Sequence, residues 1–67
     1  MEWHTTGVRE ELLVILAGRV VLELQPSSSR RRVVSLGEGQ CAFLPQATMH
    51  RVVNRSTHPA RYLYVTA

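Results

Sequence analysis

The chain has no lysine, a single cysteine, one phenylalanine and one tryptophan, and all five of its carboxylates are glutamates. One cysteine excludes an intrachain disulfide, and it suits a reducing compartment better than a secreted setting. The longest wholly apolar run, Leu12 to Ala17, is far shorter than the ~20 residues that a helix needs to cross a bilayer. The first stretch, "MEWHTTGVREE", has no basic region followed by an apolar one, so no secretory leader is expected. Together these absences predict a cytoplasmic chain with no membrane partner. Helix-turn-helix patterns, zinc-finger spacings and aromatic RNA-binding motifs are also missing. The basic run Arg30-Arg31-Arg32 adjoins "QPSSS" and reads as a solvated hairpin entering a strand, so no nucleic-acid partner is expected. "GEG" at 37–39 lacks the strand–loop–helix context of a phosphate loop and reads as a turn. No serine or cysteine nucleophile stands in a recognisable motif with a base.

What is present is 67 residues, 45% of them hydrophobic, with eight arginines and a net charge of +3. That length makes one domain, residues 1–67, and a domain so small is only marginally stable alone. With disulfides excluded, the available staples are a bound metal and a partner subunit.

The apolar stretches are short, β-branched and separated by turn signals, which predicts an all-β chain. Six strands are expected: "EELLVILAG", "RVVLELQ" ending at Pro26, "RRVVSL", "QCAFLP", "HRVVNRS" and "RYLYVTA". Turn signals every 8–12 residues or so are those of a sandwich or barrel. Side chains alternate along a strand. Glu11, Leu13 and Ile15 therefore share one face of the first strand, and Leu12, Val14 and Leu16 the other. Both faces are apolar, which predicts a strand covered on both sides. On the fifth strand His50, Val52 and Asn54 share one face and Arg51, Val53 and Arg55 the other; the arginines mark the solvent side, so His50 faces inward. Glu11 and His50 are thus aimed at an apolar interior from distant strands, where a charge must be paired, neutralised or bound to a cation.

His4, Glu11 and His50 make two imidazoles and a carboxylate, a donor set suited to Fe, Mn, Ni, Zn or Cu. Three protein ligands leave coordination positions open. The spacing of these residues resembles that of the cupins. In that family G-x5-H-x-H, three or four residues, then E-x6-G is followed by G-x5-P-x-G-x2-H-x3-N. Here Glu11 is followed after six residues by Gly18, and His4 and Thr6 occupy the two histidine slots. Gly39, Pro45, His50 and Asn54 stand in register with the second motif, and Ala47 occupies a glycine slot. The resemblance runs from His4 to the last strand. It implies a short jelly-roll (double-stranded β-helix) barrel with His4, Glu11 and His50 as ligands of a divalent transition metal near the barrel mouth. Threonine is a poor ligand for such a metal, so Thr6 removes the four-ligand version of the site.

Two functions follow from the resemblance. One is a metal-binding cupin that presents its metal to a small organic molecule. The other is a metal-free, sensor-like module that binds a small molecule without catalysis. Phe43, Tyr62, Tyr64 and Thr6 are the candidate ligand-pocket residues, although the three aromatics also suit a β core. No general base besides Glu11 is placed inward, so enzyme and sensor are not separated. Glu10 and His58 are expected in solvent, Cys41 as a small buried residue, and Asn54 as a turn former. Trp3 and Met49 would flank the site or an interface. The strands that usually precede the first cupin histidine have no counterpart here. The exposed sheet edge that this would leave predicts a homodimer.

Overall fold

The computed structural model describes residues 2–67. They form seven strands: β1 (His4–Thr5), β2 (Glu11–Ala17), β3 (Arg19–Ser27), β4 (Arg30–Gly37), β5 (Cys41–Leu44), β6 (Met49–Val53) and β7 (Arg61–Thr66). There is no helix among the described residues. Two antiparallel sheets pack against one another, one ordered β1-β6-β3-β4 and the other β5-β2-β7. This is the expected jelly roll, with two strand-level differences. β1 is an additional strand, held by the pairs His4↔His50 and Thr5↔Met49; two residues are too few to show an alternation. β3 also runs past Pro26, because a register shift between Leu24 and Ser27 accommodates a residue with no N–H to pair.

The alternation read from the sequence sets the two inner faces. Leu13, Ile15 and Leu44 from the three-stranded sheet meet Val20, Leu22, Leu36 and Val52 from the four-stranded one, all buried. Each such side chain contributes about 1.5–3 kcal/mol through removal from water. Tyr62 and Tyr64 pack at the border of this core.

The opposite face of β2 departs from expectation. Leu12, Leu16, Phe43, Leu63 and Val65 are exposed there, so within one chain β2 is covered on one side only. Cys41, expected inside, lies on that open side across from Val14 and is exposed.

Two turns depend on a left-handed backbone position. Gly18 has φ +81°, and a Cβ there would lie 2.8 Å from the Pro59 carbonyl oxygen, so only glycine fits between β2 and β3. Ala47 adopts φ 55° in the turn between β5 and β6. It keeps the left-handed conformation of the glycine slot that it fills, at a cost of about 1–2 kcal/mol.

Candidate metal centre

β6 delivers His50 to the inner face of the four-stranded sheet, and the pairing His4↔His50 sets the second imidazole beside it. The two rings meet edge to face, 4.1 Å between centroids. Glu11 is the first residue of β2, on the inner face of the other sheet, and its carboxylate reaches across the gap between sheets. His50 Nε2 and Glu11 Oε2 are 3.5 Å apart. One ligand atom from each of His4, Glu11 and His50 lies within 4.8 Å of the others, close enough to hold one metal ion.

Hydrogen bonds orient both rings. His50 Nδ1 lies 2.9 Å from the Thr48 carbonyl, and His4 Nδ1 lies 3.2 Å from the Glu2 carbonyl. A carbonyl only accepts, so each Nδ1 carries the proton and donates. The Nε2 lone pair of His50 then faces Glu11 Oε2. Carbonyl bonds of this kind fix the tautomer of histidine ligands in metal sites.

The decisive feature is what Nε2 of His50 and Oε2 of Glu11 lack. Both atoms are buried, and neither has a hydrogen-bond partner. A buried polar atom left unpaired costs about 1–3 kcal/mol. A lone pair and a carboxylate oxygen facing one another need a cation or a proton between them. Two ligand atoms about 2.1 Å from one zinc-sized ion at a tetrahedral angle would lie about 3.4 Å apart, close to the separation seen. The donor set and the paired orphan atoms fit a divalent transition metal.

A sequence model of the cupin domain matches residues 1–66. The chain belongs to the cupin family. No curated protein matched this cupin significantly.

The candidate pocket residues divide. Tyr64 stands on the inner face, 6.4 Å from the His50 ring, with Tyr62 edge-on to it at 5.8 Å. Burial foremost, then the neighbouring Tyr62 and Glu11, hold the Tyr64 hydroxyl above its ordinary pKa, so it keeps its proton. Phe43 is elsewhere. It pairs with Leu12, is 59% exposed, and points outward. There it lines a cleft of about 160 Å³ with Leu12, Val65 and the Glu10–Glu11 corner. Strand parity alone separates it from Leu44, its inward neighbour.

Thr6 is buried and its hydroxyl is engaged by the backbone. Its hydroxyl donates to the Pro45 carbonyl at 2.7 Å and accepts from the Thr48 N–H at 3.0 Å. The residue in the second histidine slot thus ties the N-terminal segment to the turn that presents His50. Asn54 forms its turn as expected, accepting from Ser56 and donating to the His58 carbonyl. Glu10 and His58 are exposed, as expected.

One buried acid was not anticipated. Glu23 is 4% exposed, on the outer face of the four-stranded sheet beneath Arg51 and Arg55. The Arg51 hydrogen bond chiefly, helped by Arg55 and opposed by burial, holds its carboxyl below the ordinary glutamate range. The register Glu23↔Arg51 was the signal that could have found it, but strand pairing is not visible in the sequence.

Proposed function

We propose that this cupin binds one divalent transition metal through His4, Glu11 and His50 and presents its open positions to a small organic ligand. The observation that carries this reading is the buried, unpartnered pair His50 Nε2 and Glu11 Oε2. When bound, such a metal supplies Lewis acidity or an oxygen-activating centre. The chain's own residues do the rest. Thr48 and Glu2 hold the imidazole tautomers through their carbonyls. Tyr64 stands beside the His50 ring and keeps its proton. Glu11 joins the two sheets at the site, so loading couples to fold stability.

The test is elemental analysis of the purified protein and of the His50→Ala and Glu11→Gln variants. Near one equivalent of metal, lost in both variants, is expected. Absence of metal after reloading with iron, nickel, zinc, copper and manganese would leave the second reading, a metal-free sensor-like module. What favours that second reading is Thr6, which spends its hydroxyl on the backbone where a further ligand would stand. Turnover on small carboxylates, thiols and sugars, with oxygen uptake followed, separates enzyme from sensor.

A homodimer belongs to the same proposal. The exposed row Leu12, Leu16, Phe43, Leu63 and Val65 supports it, since a second copy seated there would cover both faces of β2. Sedimentation of a clean monomer at tens of micromolar would refute it. The exposed, unpaired Cys41 thiol supports a reducing, cytoplasmic setting.

A further inference from the structure

We propose that Trp3 is a positioning residue, clasped between two guanidinium groups so that His4 stays in the ligand set. The inference rests on the metal-binding reading and adds to it a device on the opposite face of the sheet.

His4 is the ligand with the weakest backbone support. β1 is two residues long and lies at a sheet edge, paired on one side only. Continuing the register His4↔His50 outward by one residue sets Trp3 opposite Arg51, on the face away from the metal centre. The Arg51 guanidinium lies 5.0 Å from the Trp3 ring centroid, and that of Arg31 lies 5.2 Å from it. Both fall within the ~6 Å reach of a cation–π contact.

The contacts link fixed parts of the molecule. Arg51 is anchored by buried Glu23, which Arg55 also holds at 2.7 Å. Arg31 belongs to β4, on the far edge of the sheet from β1. Three strand spacings, about 14 Å, separate those edges, so the indole and the Arg31 side chain together reach across the outer face. The ligand pair His4/His50 is thereby backed by the pair Trp3/Arg51 on the same two strands. Two residues on, Thr6 is pinned to Pro45 and Thr48, so His4 is held from both sides.

If the clasp orders His4 for the metal, the metal must in turn tighten the clasp, because coupling is reciprocal. Trp3 is the sole tryptophan, so its emission reports the clasp directly. The experiment titrates the protein with Co²⁺, following the d–d absorption and Trp3 emission, in wild type, Trp3→Ala, Trp3→Phe, His4→Ala and the Trp3→Ala/His4→Ala double variant. Amide exchange of Thr5 is measured without metal.

Trp3→Ala is expected to weaken Co²⁺ binding about tenfold and Trp3→Phe to restore most of it. The double variant should bind no worse than His4→Ala alone, since Trp3 acts through His4. Thr5 exchange should accelerate in Trp3→Ala. Wild-type emission should respond to Co²⁺, and the His4→Ala emission should not. Additive losses in the double variant, or Trp3→Ala binding that matches wild type while His4→Ala fails, overturn the clasp. Should wild type take no Co²⁺, the metal reading falls, and unchanged Thr5 exchange in Trp3→Ala then overturns the clasp as well.

Discussion

Two glutamates turn away from solvent in this small barrel, and they do so in opposite ways. Glu23 lies under Arg51 and Arg55, with a guanidinium nitrogen on each carboxylate oxygen. Glu11 presents an oxygen with no partner to an imidazole nitrogen with no partner. Burial is shared; satisfaction is not. A carboxylate saturated by donors has no capacity left for a ligand and serves to fasten strands. One that is withheld from donors, next to a lone pair, is shaped for a cation. The contrast also gives three of the eight arginines a function. Arg51 and Arg55 neutralise Glu23, and Arg51 with Arg31 contacts the Trp3 ring.

The largest effect that tests this contrast comes from Glu11. Glu11→Gln is expected to abolish metal loading, at least a hundredfold in affinity, since even outer partners of metal ligands are worth about 10–100-fold. It should leave the metal-free melting temperature equal or higher, because an amide N–H can donate to His50 Nε2. Metal titration and thermal melts of the same sample read both. A clear drop in metal-free stability would mean that Glu11 is already satisfied by a proton shared with His50.

Glu23→Gln should do the reverse. Metal stoichiometry is retained, while the melting temperature falls because Arg51 and Arg55 lose their counter-charge. The pH dependence follows from the lowered carboxyl pKa. The folded state binds this proton less readily than the unfolded chain, so the contribution is fully present above the unfolded glutamate value, about 4.3. It is lost as pH falls through the lower folded value. Melts of wild type and Glu23→Gln should therefore converge below that window, and parallel curves would refute the assignment.

The smallest effect tests the turn that carries His50. Ala47→Gly relieves a left-handed alanine and is expected to stabilise by about 0.5–1 kcal/mol, after the extra freedom of glycine in the unfolded chain is subtracted. For a domain of this size that is a few degrees in melting temperature. Unchanged or lower stability would show that the turn tolerates alanine without strain.

Strand alternation, turn spacing and the offsets among Gly39, Pro45, His50 and Asn54 were readable because they are local. A period of two puts Glu11 and His50 on inner faces whatever the partners are, and Gly18 marks a backbone angle that a side chain would obstruct. Those rules determined the fold class and two of the three candidate ligands' directions. Other features depend on which strand lies beside which. β1 exists only because β6 accepts it, Glu23 is buried only because Arg51 and Arg55 arrive from 28 and 32 residues away, and Thr6 is consumed by a turn 39 residues on. Phe43 and Cys41 are exposed because none of the described residues covers the second face of β2. Tertiary structure alone decided these, since each is a contact between segments that are far apart in sequence, and alternation along a strand carries no information about what will stand opposite it.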